Sequence, residues 1–143
     1  MENFKFSTKL DVTIGDINYG GHLGNDRYLS IFQEARLRYL AQFNFSEMNI
    51  GDDTSLIMSS AHVDFKAEVF WANRLIVYVR ISELKGVKFM MDYLMFRDDE
   101  QGLLVASGYT KMAGFDYKNR QIKKLPPAFV QAIQQYEQAL MSA

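Results

Sequence analysis

Between Asn25 and Val69 the spacing of apolar residues changes from helical to two-residue, and this change constrains the fold more than any other feature. A helix is expected from Asn25 or Asp26, either of which could cap it, to about Phe43. At roughly 100° per residue, Tyr28, Leu29, Ile31, Phe32, Ala35, Tyr39, Leu40 and Phe43 fill a wide apolar arc. Arg27, Ser30, Glu34 and Arg38 lie opposite. So broad an arc predicts a helix wrapped on several sides. A polar break follows from Asn44 to Thr54, with a short turn expected at Ser46–Ile50. Then Ala61, Val63, Phe65, Ala67 and Val69 alternate with His62, Asp64, Lys66 and Glu68, the pattern of a half-buried strand.

Around that switch, Phe4 to Ile14 reads as a first strand, and the glycine-rich segment from Asp16 to Asn25 as a loop. Arg74–Leu84, Val87–Arg97 and Leu103–Phe115 predict three further strands, with turns at Lys85-Gly86 and Asp98–Gly102, hence an antiparallel meander. The strand from Val87 is apolar on both faces. Phe89, Met91, Tyr93 and Met95 line one, and Met90, Leu94 and Phe96 the other, so the second face is expected to meet something beyond the helix. Pro126 and Pro127 open a terminal helix, Ala128 to Met141. The fold class is therefore α+β, a long central helix wrapped by a curved antiparallel sheet of about five strands.

The 143 residues suit one domain spanning 1–143. A net charge of -1, without a Lys/Arg cluster, argues against nucleic acid as a partner. With no cysteine, disulfides, thiolate metal sites and cysteine nucleophiles are excluded. His22 and His62 are the only imidazoles, too few for a multi-histidine metal site, and no cofactor is expected. The N-terminus lacks the apolar core of a signal peptide, and no run approaches the ~20 apolar residues of a membrane span. A cytoplasmic location is the default expectation. Eleven Phe and eight Tyr are more apolar surface than one small domain hides, so a homo-oligomer is expected.

The sequence from Asp16 to Tyr28, DINYGGHLGNDRY, followed by Glu34-Ala35-Arg36, resembles the 4-hydroxybenzoyl-CoA thioesterase-like branch of the hotdog superfamily. That branch shows Asp-x-Asp-x-x-Gly-His-hydrophobic-x-Asn, a nearby Tyr, and Glu-Ala-Arg on the helix. The resemblance extends in outline over nearly the whole chain, with Ala106 to Thr110 similar to the last strand and Leu125-Pro126 to the closing proline. It implies a hotdog domain, hydrolysis of acyl-CoA, sites lying between subunits, and a dimer or dimer of dimers. In this chain Asn18 stands where the best-known members carry their catalytic Asp. An amide neither forms an acyl-enzyme anhydride nor accepts a proton near neutrality.

The motif marks Asp16, Asn18, His22 and Glu34 as catalytic candidates, and Gly20, Gly21, Gly24, Asn25 and Tyr28 as substrate-binding ones. Asp16 or Glu34 could be the base, with His22 and Asn18 orienting the reacting groups, while backbone N–H groups at a helix N-terminus would stabilise an oxyanion. Acyl-carrier-protein hydrolysis and non-catalytic thioester binding remain open. Arg36, a charge within the apolar arc, must be paired, with Asp16 or across a subunit interface. Glu34 and Arg38 have the spacing of a surface ion pair. Lys85, Lys88, Lys111, Lys118 and Arg120 sit at strand ends and turns, where a CoA phosphate could be held.

Overall fold

A computed structural model of the chain describes residues 3–138. In chain order it comprises β1 (Phe6–Asp11), a 3₁₀ turn (Ile14–Asp16), α1 (Arg27–Ala41), β2 (Ser55–Phe65), β3 (Arg74–Lys85), β4 (Lys88–Arg97), β5 (Leu104–Asp116), β6 (Gln121–Ile122) and α2 (Pro127–Tyr136). The strands make one antiparallel sheet in the order β1-β3-β4-β5-β2, with β6 paired to the end of β5.

Along α1, Tyr28, Phe32, Ala35 and Tyr39 recur at helical spacing and are buried, forming the stripe that faces the sheet. Phe32 stacks flat on Tyr93 of β4, with ring centroids 4.5 Å apart, and Tyr39 meets Phe6 of β1 edge-on. Beside Tyr93, β5 carries Gly108. A Cβ there would overlap the carbonyl oxygen of His62 and lie 3.0 Å from the Phe32 ring, so close seating of helix on sheet requires its absence. The stripe is narrower than the expected arc, because Leu29 is exposed. Past its C-terminus the helix is closed by Asn44 in the left-handed region (φ 62), with Phe45 N–H donating to Leu40 O and Asn44 N–H to Ala41 O. That pairing satisfies carbonyls the helix leaves open.

Alternation along the central strands places Leu75, Val77, Val79 and Ile81 of β3 and Phe89, Met91, Tyr93 and Met95 of β4 in the core. Each such side chain stabilises the fold by roughly 1.5–3 kcal/mol. The opposite residues of β4, Met90, Asp92, Leu94 and Phe96, are half-buried.

Several expectations need correction. β2 is not the next strand of a meander: it lies at the far edge, paired with β5, while β1 takes the place beside β3. The 66–73 connector crosses three strand spacings, roughly 14–15 Å, well within the reach of eight residues. β2 also begins at Ser55 and stops at Phe65. Beyond Phe65, the N–H groups of Lys66 and Ala67 both donate to Val105 O, which closes the ladder. A register shift between Met58 and Ser60 leaves Ala61 and Phe65 exposed and Val63 half-buried. β1 stops at Asp11, since Val12 N–H turns to Asn73 O and a 3₁₀ turn follows. The terminal helix starts at Pro127 and ends at Tyr136; residues 139–141 of its expected length fall outside the described residues. It ends where the buried Glu137 carboxylate accepts hydrogen bonds from Tyr39 OH (2.7 Å) and Ile81 N–H (3.1 Å).

Candidate active site

The loop between the 3₁₀ turn and α1 is built almost entirely by backbone hydrogen bonds. Asn18 N–H donates to His22 O, Gly21 N–H to Asn18 O, and Gly24 N–H to Asp16 O. Leu23, buried beneath the loop, donates its N–H to Val69 O at 2.7 Å. That bond clamps the loop to the 66–73 connector, whose Phe70 and Trp71 stand exposed. Tyr28 packs edge-on against Phe65 at the loop's base, with centroids 4.9 Å apart. Burial, then the Glu68 charge, pushes its phenol pKa up.

Within this frame the side chain of Asn18 folds back so that its Oδ1 accepts Gly20 N–H at 2.8 Å. Its amide nitrogen has no hydrogen-bond partner among the described residues and stays available as a donor. His22 Nδ1 lies 3.2 Å from Leu23 O. Placing the ring proton on Nδ1 satisfies that carbonyl and leaves Nε2 a bare acceptor. Gly20 sits between the two side chains: a Cβ built there would lie 3.2 Å from His22 Nε2 and 3.3 Å from Asn18 Oδ1. Gly21 follows at φ 83, a conformation that L side chains avoid. The sequence motif thus brings Asn18, Gly20, Gly21 and His22 into one cluster.

Asp16, Asn25 and Asp26 are placed differently from the sequence reading. The Asp16 carboxylate accepts from Thr13 N–H and Thr13 Oγ1, both at 3.0 Å, and pairs with Arg27 at 3.4 Å. Neither Asn25 nor Asp26 caps α1; Asp26 occupies the N-cap position in helical conformation without a side-chain hydrogen bond. The backbone N–H groups of His22, Asn25 and Asp26 meet no protein acceptor among the described residues. Those of Asn25 and Asp26, immediately before α1, lie where the helix dipole is positive. The sequence reading expects donors at this helix N-terminus; which N–H groups stay free is decided by the folded backbone.

Glu34 lies about two turns along α1 from Arg27, roughly 10 Å at 1.5 Å per residue. It is exposed and accepts a hydrogen bond from Arg38 at 3.0 Å, and Arg38 in turn donates to Thr8 Oγ1 and Lys9 O on β1. The structure does not bring Glu34 to the loop. Arg36, too, pairs neither with Asp16 nor, among the described residues, with anything on the loop. It donates to Glu47 at 2.8 Å and to Tyr93 OH at 3.0 Å, and Tyr93 OH shares a 2.8 Å hydrogen bond with Thr110. No group of three or more His, Asp or Glu among the described residues is arranged to hold a metal ion.

This geometry, a glycine loop carrying an imidazole and an amide at the start of a helix laid on an antiparallel sheet, coincides with a family assignment. Residues 12–133 match the model of the Thioesterase-like superfamily, and the chain belongs to that family. Among its relatives, an acyl-CoA thioesterase (YbgC) of Haemophilus influenzae is 26% identical over 113 residues, 78% of this chain and 81% of that protein. Among solved structures, a 1,4-dihydroxy-2-naphthoyl-CoA thioesterase from Synechocystis superposes with a TM-score of 0.80 at 26% identity, covering 90% of this chain and 94% of that one. A thioesterase from Thermus thermophilus, solved with coenzyme A and zinc, gives a TM-score of 0.82 over 96% and 97% of the two chains. At 23% identity it speaks for the fold alone.

Proposed function

We propose that this protein hydrolyses an acyl-CoA thioester to the free acid and coenzyme A. The observation that carries this reading is the convergence of Asn18, His22 and uncommitted backbone donors at the N-terminus of α1, in a chain of the Thioesterase-like superfamily. In this scheme the oxygen of water bonds to the thioester carbonyl carbon, and its proton passes toward His22 Nε2. Negative charge developing on the carbonyl oxygen falls to the Asn18 amide and the backbone N–H groups of Asn25 and Asp26. The C–S bond then breaks, and the proton leaves with the thiol. Asp16 acts here as the strut that holds Thr13 and Arg27. Glu34 acts as the i,i+4 partner of Arg38, the residue that ties α1 to β1. The exposed Phe70 and Trp71 beside the loop supply apolar surface for the acyl group.

The reading extends to assembly. β2 is an eleven-residue strand on an open edge of the sheet, and the outer face of β4 is only half-buried. Both features suit pairing with further copies, as a homodimer or a dimer of dimers. No helix among the described residues is long and apolar enough to cross a membrane. The proposal places the protein in the cytoplasm, with acyl-CoA.

The test is thiol release from the purified protein offered acyl-CoA substrates across chain lengths and aromatic acyl groups. Turnover of at least one is expected, and Glu34→Gln should retain it. Absence of release from the whole panel, with coenzyme A still bound, would leave a thioester-binding protein and sink hydrolysis.

A further inference from the structure

Asn18, at the centre of the loop cluster, is an amide, yet a carboxylate stands beside it. Asp26 follows it eight residues later in the chain and meets it in space across Gly24. A Cβ built on Gly24 would lie 2.6 Å from Asp26 Oδ1 and 3.7 Å from Asn18 Cβ, so a single methyl group would meet both side chains. The other end of Asn18 stands in the same relation to His22. A Cβ on Gly20 would lie 3.3 Å from Asn18 Oδ1 and 3.2 Å from His22 Nε2. Asn18 is thus flanked by an imidazole nitrogen at its Oδ1 end and by a carboxylate oxygen at its Cβ end.

Glycine at position 24 is what admits that carboxylate. Gly24 does not share the left-handed φ of Gly21, so its backbone conformation is open to any L residue. The obstacle to a side chain is Asp26 Oδ1 alone, since the next nearest atoms stand at the ordinary contact distances of 3.7 and 3.8 Å. The carboxylate is also uncommitted. Asp26 is exposed, makes no capping hydrogen bond to α1, and enters no ion pair among the described residues. Its neighbours differ. Asp16 is held by Thr13 and Arg27, and Asp64 pairs with His62. Glu68 of the connector bears on Tyr28, whose phenol is raised by burial first and by this charge second.

We propose that Asp26 is a catalytic carboxylate of this site, its Oδ1 accepting a hydrogen bond from the water that attacks the thioester. This role rests on the hydrolysis proposed above and completes it. Water has two O–H bonds. As its oxygen bonds to the carbonyl carbon, one proton passes to His22 Nε2, while the other O–H is held by Asp26. Two fixed acceptors leave the oxygen lone pair aimed at the carbonyl carbon. When the C–S bond breaks, the proton on His22 leaves with the thiol sulfur. The second hydrogen stays on the new carboxyl group, which releases it to solvent, and Asp26 is never acylated. The amide at position 18 suits this arrangement, since it donates to the developing oxyanion and adds no second negative charge beside Asp26.

The experiment measures thiol release from the acyl-CoA panel by the parent, by Asp26→Asn, by Gly24→Ala and by the two substitutions combined, with melting temperatures alongside. Asp26→Asn keeps the side-chain shape and the backbone N–H, so it removes the charge alone. It should lower kcat by roughly 10²-fold and leave KM within about threefold of the parent. The melting temperature should stay close to the parent value, because the carboxylate is exposed and bonded to nothing else among the described residues. Gly24→Ala places a Cβ where Asp26 Oδ1 now lies and should also lower kcat. The combined variant should be no slower than Asp26→Asn, because both changes act on one group. Unchanged kcat in Asp26→Asn, a loss confined to KM, or losses that multiply in full in the combined variant would overturn the role of Asp26 and leave hydrolysis standing. A parent that releases no thiol from any acyl-CoA would remove the proposed reaction, and the role of Asp26 with it.

Discussion

The molecule contains two polar clusters of opposite accounting. In the core, Arg36, Glu47, Tyr93 and Thr110 form a chain of hydrogen bonds in which every buried side-chain polar atom finds a partner. In the loop before α1, the Asn18 amide nitrogen, His22 Nε2 and the N–H groups of His22, Asn25 and Asp26 have no hydrogen-bond partner among the described residues. Burying a polar group is tolerated only when its hydrogen bonds are made, whereas a site must hold valences in reserve. Under the function proposed above, the contrast separates polar residues that keep the fold from those available to a substrate. Asp16 and Glu34, in or near the motif, each meet a cation within the chain, Arg27 and Arg38 respectively.

The largest effect expected from this contrast lies in the loop. His22→Ala should lower kcat by roughly 10²–10⁴-fold. The melting temperature should stay close to that of the parent, since the half-buried ring makes one hydrogen bond, to Leu23 O. A variant that keeps kcat and raises KM would assign His22 to binding and break the proton-transfer role. Next comes Arg36→Ala, expected to cost about 3 kcal/mol in denaturant unfolding, the lower end of the range for breaking a buried pair. The lower end applies because the Glu47 side chain retains 21% of its exposure and can still reach water. A loss below about 1 kcal/mol would show the core cluster to be as dispensable as a surface ion pair.

The smallest effect concerns a second satisfied core group, Glu137. Burial holds its carboxyl pKa above the usual value, opposed by the hydrogen bonds from Tyr39 and Ile81 N–H and by the charges of Arg80 and Lys5; Tyr136 lies on the same helix. A raised folded-state pKa means that the stability linked to this group is fully present below its unfolded value of about 4.5 and is lost as pH rises through the folded value. The melting temperature should therefore decline across that window, and Glu137→Gln should flatten the decline. An unchanged pH profile in the variant would mean that other groups set it.

Much of this architecture was legible in local periodicity. Tyr28, Phe32, Ala35 and Tyr39 recur at helical spacing, and the β3 and β4 alternation names their core residues one by one, because burial on one face imposes the period directly. The start of β2 was harder to read, since Leu56-Ile57-Met58 is a continuous apolar run that fits a strand or a buried helix equally. In the candidate site, Asn18, Gly20, Gly21 and His22 of the motif lie together in space. The motif could not separate Asp16 from them, because the contacts that occupy Asp16 come from Thr13 and Arg27 in a turn that periodicity does not describe.

What the sequence by itself determined is the helix stripe, the central strands, the place of the glycine loop and, through Asn18, the absence of a carboxylate at that position. Those features depend on residues within a turn or two of one another. Tertiary structure alone decided that β2 crosses to the far edge and that Arg36 answers to Glu47 and Tyr93. Each of these joins residues far apart in the chain, and the choice among possible partners is made by the packing of the whole sheet. The backbone donors before α1 belong to the same class. Every residue except proline carries a backbone N–H, and only the folded chain shows which ones are left without a partner.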